Sequence, residues 1–381
     1  MKVSGDWLGA EATQAVFSAL TATGHQAFAV GGCVRNTVLG VPVTDVDIAT
    51  DATPETVQAL AKEAGIKSVP TGIDHGTVTL VSGGTGYEVT TFRADTETDG
   101  RHAIVQFSTD MTEDARRRDF TMNALYADAS GQVLDPLDGL PDLQARRVRF
   151  IGDATARITE DFLRILRFFR FAAWYGDPDL GFDSDALAAI SANLDGLTTL
   201  SRERVGAELV KLLSAHDPAP AVGSMAQTGV LIAILPGSDM RGLAPLVHLE
   251  QEHGIAPDPM RRLACLGVFD GASLRLSKTS QRQLTQYQSL ISGSETAAEL
   301  GYRYGADVAT SVILLRSALL ETPLDPVCLD VAADAASAKC PVKASHLMPE
   351  FSGSALGEKL REIEARWIAS GLTLTKEELL R

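Results

Sequence analysis

A change of pattern near residue 150 constrains the fold of this 381-residue chain more than any other feature. Before that point, short β-branched runs alternate with Gly-rich turns and helical segments; the runs are "QAFAV", "VTDVDIAT", "TVTLVS" and "GYEVTTF". From about residue 154 onward, the spacing of apolar residues is almost wholly helical. The sequence therefore predicts an α+β fold, in which a small mixed β-sheet is followed by an elongated all-helical part.

The charge of the chain limits the partners that it can bind. Its formal net charge is −15, which argues against a protein that holds nucleic acid by charge along its whole surface. A nucleic-acid partner would have to meet a local basic patch, and arginine-rich segments occur at 115–120, 144–150 and 163–171. Solvated helix faces would give the same pattern, above all in 144–150.

The cysteines and the apolar runs indicate the compartment. The four cysteines are scattered without metal-ligand spacing, so we expect reduced thiols, no disulfide framework and no zinc site. The apolar runs are shorter than a membrane span, and the first residues lack the apolar core of a signal peptide. We therefore expect a cytoplasmic protein without a membrane partner. A monomer and a homodimer are both compatible with the sequence.

Two aspartates, Asp45 and Asp47, lie in the strand-like run 43–50. Because side chains alternate along a strand, both aspartates point to one face, while Val46 and Ile48 point into the core. Two carboxylates this close repel each other unless a cation lies between them, and Mg²⁺ prefers such oxygen ligands. A strand end that enters a turn is also rich in Asp, so the pair alone leaves both interpretations open.

A Gly-Gly turn precedes this run. Gly31 and Gly32 follow a predicted strand and open a predicted helix, with Arg35 one turn further on. Backbone N–H groups at a helix N-terminus can approach phosphate oxygens closely when glycine forms the turn. A strand, this turn, a helix with arginine and a strand with two aspartates therefore describe a site for a triphosphate and its metal ion.

The segment 160–170, "EDFLRILRFFR", offers a physical basis for choosing a base. At about 100° per residue, Asp161, Arg164 and Arg167 lie along one arc of a helix. A carboxylate accepts hydrogen bonds and a guanidinium donates them, so Asp161 with Arg164 matches the edge of cytosine or adenine and opposes uracil and guanine. This predicts selection of CTP and ATP against UTP and GTP. An amphipathic helix with i, i+3 ion pairs would show the same residues.

Several segments, in this order, resemble the successive motifs of the class II tRNA nucleotidyltransferase and bacterial poly(A) polymerase family. They are "VGGCVRNTVLGVPVTDVDIAT", "HGTVTLV", "RRRDFTMNAL", "LDPLDGLPDLQARRVRFIGDA" and "RITEDFLRILRFFRFAA". The resemblance implies three parts: a nucleotidyltransferase head in 1–150, a helical nucleotide-selecting neck in 151–215, and a helical body and tail in 216–381 that bind RNA.

The resemblance also implies a role for each matching position. Asp45 and Asp47 would be catalytic and hold Mg²⁺, and Glu88 is a candidate third catalytic carboxylate. A polar residue on the solvent face of an edge strand would look like Glu88 as well. The expected nucleotide-binding residues are Gly31, Gly32, Arg35, Arg117, Arg118, Asp161, Arg164, Arg167 and Arg170.

The implied activity is addition or repair of the 3′-terminal CCA of tRNA from CTP and ATP without a nucleic-acid template, by two-metal phosphoryl transfer that releases pyrophosphate. Poly(A) polymerase and a non-catalytic RNA-binding protein of the same fold are the alternatives. The acidic composition favours recognition of a folded tRNA by shape and backbone.

Three local features qualify the resemblance. The polar segment 93–110 resembles the loop that accompanies the switch from CTP to ATP in this family. Asn36 stands where the family usually has Asp, and Cys33 where it commonly has a small residue such as Ala. His216 and Asp217 form an "HD" pair at a helix break, which we interpret as a helix end rather than a phosphohydrolase motif.

Overall fold

The structure is a computed structural model that describes residues 1–94 and 106–381. The chain divides into two units, residues 1–199 and 200–381. The division into head, neck and body at residues 150 and 215 stays a prediction.

The first unit contains a mixed sheet. Among its described residues the strands are β1 (Ala27–Val30), β2 (Asp47–Thr50), β3 (Lys67–Gly72), β4 (Thr77–Ser82), β5 (Thr85–Thr91), β6 (Arg93–Ala94), β7 (Gln106–Phe107), β8 (Tyr126–Ala127) and β9 (Val133–Leu134). The sheet has the order β3-β4-β5-β2-β1-β8-β9, while β6 pairs with β7. Strands β2 and β5 are parallel, and the other neighbours in the sheet are antiparallel.

The hairpin of β4 and β5 shows how the sequence forms this sheet. Gly83 and Gly84 connect the strands with φ of +56° and +81°, which favours glycine. Val78, Leu80 and Val89 are buried, in the alternation that the β-branched pattern predicts. The predicted Gly-rich hairpin is therefore confirmed.

The helices of the first unit are α1 (Asp6–Gly9), α2 (Glu11–Thr21), α3 (Gly32–Leu39), α4 (Pro54–Glu63), α5 (Met111–Arg116), α6 (Gly139–Gln144), α7 (Ala154–Glu160), α8 (Leu163–Tyr175) and α9 (Ser184–Ala192). Helix α4 begins at a proline: Pro54 is its first residue, and the Thr53 side chain accepts a hydrogen bond from the backbone N–H of Thr56.

Helices α2 and α4 cover one face of the sheet. The hydroxyls of Thr13 on α2 and Tyr87 on β5 lie 3.0 Å apart and share a buried hydrogen bond. Because neighbouring side chains of a strand point to opposite faces, Glu88 faces away from α2.

An aromatic cluster joins α8 to the sheet-bearing part of the unit. The ring of Phe120 lies 5.1 Å from that of Phe150 and 4.9 Å from that of Phe171 on α8, between centroids. Phe168, also on α8, stacks on Phe150 at 5.7 Å. Such pairs contribute about 1 kcal/mol each beyond the area that they bury, so they hold α8 against this segment.

The second unit is helical, with no strand among residues 200–381, all of which are described. Its helices are α10 (Arg202–Leu213), α11 (Ala219–Gln227), α12 (Val230–Ile234), α13 (Leu243–Glu252), α14 (Pro259–Leu266), α15 (Lys278–Ile291), α16 (Ala297–Tyr304), α17 (Ala306–Leu320), α18 (Val327–Ser337), α19 (Gly353–Ala369) and α20 (Lys376–Leu379). The α+β fold with a helical second part is thus confirmed. Within the described ranges, no helix has the length and apolar character that a membrane crossing requires.

Buried ion pairs and a helix-capping hydrogen bond stabilise the helices of this unit. The buried carboxylate of Glu250 pairs with both Arg261 and Arg262, at 2.7 Å in each case. Arg262 also donates to the backbone carbonyl of Leu213 at 2.7 Å, so the pair ties α13 and α14 to the end of α10. Asp217 accepts a hydrogen bond from the N–H of Ala219 at the start of α11, as expected of a helix end.

Candidate active site

Asp47 and Glu88 are neighbours on the open face of the sheet. Residue 47 of β2 pairs with residue 88 of β5 in parallel register, so their side chains project the same way from strands about 4.8 Å apart. Both side chains are exposed, whereas Ile48 and Val89 beside them are buried. Asp45, also exposed, lies two residues before β2, which is shorter than the predicted strand 43–50.

The neighbouring charges affect the pKa of Asp47. Its pKa is raised above the usual value. The first cause is that the surrounding strands remove part of its solvent although the side chain is exposed, and Glu88 and Asp45 add to the rise by repelling its charge, while Arg118 opposes it. Asp47 therefore interacts electrostatically with two other carboxylates and with one arginine. Among the described residues, no group of three or more His, Cys, Asp or Glu side chains is arranged to hold a metal ion.

The Gly-Gly turn forms the second side of the site. Gly31 has φ of +70° and ψ of −115°, a conformation that glycine adopts without strain, and it precedes α3 without a side chain that could cap the helix. The first N–H groups of a helix have no intrahelical partner, so the backbone at Gly32 offers donors to an anion. A Cβ on Gly31 would lie 3.7 Å from a guanidinium nitrogen of Arg118, so that arginine borders the turn.

Arg117 and Arg118 are oriented by one buried carboxylate, Asp114. Arg117 donates to Asp114 Oδ1 at 2.6 Å and Arg118 to Oδ2 at 2.9 Å, and the hydroxyl of Tyr126 donates to Oδ2 at 2.7 Å. Burial by itself would raise the pKa of Asp114, but Arg118 and Arg117 lower it to about 2. Asp114 therefore fixes the direction of both arginines.

Because Asp114 pairs with both arginines as a carboxylate, we expect the free energy of unfolding to depend on pH in the acid range. The pKa of Asp114 is about 2 in the folded protein and near 3.8 ordinarily, so its stabilisation is complete above pH 4 and is lost as the pH falls towards 2. The shift corresponds to about 2 kcal/mol. We expect Asp114→Asn to lower the free energy of unfolding by about that amount at pH 7, and most of the difference from the wild type to be lost by pH 2, measured by urea titration.

A control for this experiment is Asp239→Asn. Asp239 pairs with Arg241 on the surface, where solvent screens the interaction, so its loss should change the free energy of unfolding little at any of these pH values. Equal effects of the two substitutions would contradict the role given to the buried carboxylate.

The segment 160–170 is not one continuous helix, which corrects the prediction for Asp161. Helix α7 ends at Glu160, Asp161 has extended φ and ψ of −152° and 104°, and α8 begins at Leu163. The Asp161 carboxylate accepts a hydrogen bond from the N–H of Leu163 at 3.0 Å. Such local bonds from Asp to the backbone compete with helix propagation, which explains the break.

The arginines of this segment have protein partners. Arg164 pairs with Glu160 and donates to the backbone carbonyl of Arg117 at 3.1 Å, which brings it to the segment that carries Arg118. Arg167 pairs with Asp119, and the guanidinium of Arg170 lies over the ring of Phe171 at 4.9 Å from its centroid.

Arg35 lies between the Gly-Gly turn and α8. Its side chain is buried, with 6% exposed, and its guanidinium lies 3.8 Å from the ring centroid of Tyr175. A Cβ on Gly32 would lie 3.8 Å from Nη2 of Arg35. The structure thus brings Arg35, Arg118 and the carboxylates to one region, while the roles assigned to these residues stay predictions.

Comparisons with known proteins agree with this geometry. A sequence profile described as "Poly A polymerase head domain" matches residues 27–149, and one described as "Probable RNA and SrmB- binding site of polymerase A" matches 179–240. The CCA-adding enzyme of Bacillus stearothermophilus, solved in complex with CTP, aligns with a TM-score of 0.69 and 27% identity over 94% of this chain and 93% of that chain. The chain belongs to the class II tRNA nucleotidyltransferase and bacterial poly(A) polymerase family.

Curated relatives in this family match part of their length. The mitochondrial CCA tRNA nucleotidyltransferase 1 of Mus musculus is 39% identical over 250 residues, which cover 64% of this chain and 56% of that protein. The CCA-adding enzyme of Levilactobacillus brevis is 41% identical over 224 residues, 58% of this chain and 54% of that protein. The chain thus spans about half the length of the curated relatives it matches.

Three residues around this nucleotidyltransferase-family site were missed by sequence reasoning. Asp114 precedes Arg117 and Arg118 by three and four residues, so helical spacing could have identified it. Asn123 and Tyr175 come near Arg35 through tertiary contacts, and no local pattern signals them. The predicted loop in 93–110 falls largely on residues 95–105, which lie outside the described residues.

Proposed function

We propose that this protein is a CCA tRNA nucleotidyltransferase that adds or repairs the 3′-terminal CCA of tRNA from CTP and ATP. The observation that carries the proposal is the register of Asp47 with Glu88 beside Arg118 and the Gly-Gly turn at Gly31. The similarity to an enzyme solved with CTP, over nearly the whole chain, supports it.

The carboxylates fit a divalent metal site. Asp45 and Asp47 offer hard oxygen ligands of the kind that Mg²⁺ binds together with substrate phosphates and water, and the register of Glu88 with Asp47 supports it as a candidate third carboxylate. A bound Mg²⁺ would lower the pKa of the attacking hydroxyl and neutralise charge on the departing pyrophosphate. Loss of solvent is the first cause of the raised pKa of Asp47, and the repulsion from Glu88 that adds to it is the kind that a cation relieves.

The reaction is an in-line displacement at phosphorus. The 3′-oxygen of the RNA attacks the α-phosphorus of CTP or ATP, its proton passes to a carboxylate or to water, and the bond to the pyrophosphate breaks. The N–H of Gly32 at the start of α3 and the guanidinium of Arg118 hold the phosphate oxygens in this proposal, and Arg117 assists. Gly31 forms the turn, and its own N–H donates to the carbonyl of Leu125 at 3.1 Å.

In this proposal, residues at the junction of α7 and α8 select the base of the incoming nucleotide. Asp161 supplies an acceptor and Arg164 a donor, matching cytosine and adenine, and Arg167 and Arg170 extend the basic edge along α8. Because Arg164 donates to the carbonyl of Arg117, the base-reading and phosphate-binding residues are physically connected.

Recognition of tRNA is assigned to the helical part. The profile named for RNA binding covers 179–240, which overlaps the proposed neck (151–215) and the start of the proposed body and tail (216–381), and it supports an RNA-binding role for that stretch. The net charge of −15 favours reading the fold and backbone of tRNA over binding by charge alone.

Incubation with tRNA lacking its 3′ end tests the proposal. We expect the purified protein to add C, C and A from CTP and ATP and nothing from UTP or GTP, with the product ends determined by sequencing. EDTA should abolish incorporation and excess Mg²⁺ should restore it. A long run of A on any RNA would indicate a poly(A) polymerase, and no incorporation with Mg²⁺ present would refute an enzyme of this class.

A further inference from the structure

A chain of polar contacts joins α3 to α8. Arg35 on α3 donates to the Asn123 amide oxygen at 2.5 Å and to the hydroxyl of Tyr175, the last residue of α8, at 2.8 Å. Its Nε and Nη2 also donate to the side-chain oxygen of Asn36 at 3.2 and 2.9 Å. Four of the five N–H groups of this guanidinium are therefore engaged by the protein.

The partners of Arg35 are neutral oxygens. The amides of Asn36 and Asn123 and the hydroxyl of Tyr175 orient the guanidinium without cancelling its charge. The Asn36 amide nitrogen also donates to the carbonyl of Pro42 at 2.9 Å, which a carboxylate in its place would be unable to do. The Asn at this position therefore ties α3 to the segment that leads to Asp45.

A second link reaches the same helix. Asn123 donates to Asp119 Oδ1 at 3.1 Å, and Asp119 Oδ2 accepts from Arg167 Nε at 2.7 Å. Arg167 and Tyr175 are eight residues apart, about 12 Å along α8. Asn123 and Asp119 are both buried, with 8% and 7% exposed. The network thus attaches α8 at two points to the element that begins at the Gly-Gly turn.

We propose that Arg35, Asn123, Asp119 and Tyr175 are positioning residues that hold the base-reading helix α8 in register with the phosphate-binding turn. This inference rests on the proposed function and adds to it the residues that align α8 with the phosphate-binding turn. A base and its triphosphate are joined through the ribose in one substrate, so contact of the base with Asp161 and Arg164 while the phosphates lie at the turn limits the separation between α8 and Gly31. Arg35 acts through its neighbours in this account, because at most one of its N–H groups is left for a phosphate.

The matched variants are Tyr175→Phe and Tyr87→Phe. The first removes an acceptor of Arg35 and keeps the ring beneath the guanidinium. The second removes the hydroxyl that bonds Thr13 on the other face of the sheet. The ratio of CTP to UTP dissociation constants is measured by calorimetry without RNA, and incorporation into truncated tRNA is measured separately.

We expect Tyr175→Phe to reduce the preference for CTP over UTP about tenfold, the effect of one hydrogen bond to a charged group, and Tyr87→Phe to leave it unchanged. The affinity for truncated tRNA should stay at the wild-type value in both. Arg35→Lys should lower the preference as well, and combining it with Tyr175→Phe should add little, because both break the same contact.

The outcomes separate the two proposals. An unchanged preference in Tyr175→Phe, or an equal loss in Tyr87→Phe, would overturn the positioning role. If the wild type prefers CTP but adds nothing to tRNA, the proposed function is wrong. In that case the positioning role is still supported if Tyr175→Phe weakens the preference for CTP. A wild type that binds CTP and UTP equally would contradict both.

Discussion

Replacing Asp47 with asparagine should lower nucleotide incorporation at least about a thousandfold while binding of truncated tRNA persists. The substitution keeps the shape of the side chain but removes a charged ligand from the carboxylate group that includes Asp45 and Glu88. Loss of about 4 kcal/mol of transition-state stabilisation corresponds to this factor. The rate is measured as single-turnover incorporation of CMP, and RNA binding by filter retention.

Asp6→Asn is the matched control for this prediction. Asp6 is an exposed carboxylate at the start of α1, so its change alters the net charge equally without touching the site. It should incorporate CMP at the wild-type rate. Comparable rates for Asp47→Asn and the wild type would remove the basis for a metal-dependent mechanism at this sheet.

The second large effect concerns base choice at Asp161. In Asp161→Asn the amide oxygen can still accept from the N–H of Leu163, so the start of α8 is preserved. The other carboxylate oxygen is replaced by a donor, which opposes the amino group of cytosine and suits the carbonyl of uracil. We expect discrimination between CTP and UTP to fall about a hundredfold, with a smaller loss of total incorporation.

Asp177→Asn provides the comparison at the other end of α8. Asp177 accepts a backbone hydrogen bond from Asp179 at 3.0 Å, the same local arrangement that Asp161 makes with Leu163. Its substitution should leave nucleotide choice unaltered. If Asp161→Asn also retains full discrimination in competition assays with mixed CTP and UTP, another group reads the base.

Local patterns predicted the parts of this molecule that local physics determines. Alternation placed Ile48 in the core and Asp47 outside it. The long helical pattern after residue 154 predicted the second unit, although the break at Asp161 was missed because a side-chain hydrogen bond outweighs helical periodicity there.

The environment of Arg35 could not be predicted from the sequence. Its partners Asn123 and Tyr175 lie 88 and 140 residues further along the chain, and their approach depends on how α8 packs through Phe120 and Phe171. The sequence indicated an arginine near phosphate, whereas the packing determines which of its donors are already engaged. Tertiary contacts of this kind leave no periodic signal.

The parallel pairing of β2 and β5 has a consequence for how this protein can tolerate insertions. No tight turn sets the alignment of the two strands, which is maintained by buried neighbours such as Ile48 and Val89. Extra residues in the loops that flank α4, which lies between the two strands in the sequence, would leave that alignment intact. One extra residue inside β5 would exchange Glu88 with Val89, turning an acid inward and an aliphatic side chain towards solvent, so length variation among relatives should avoid that strand.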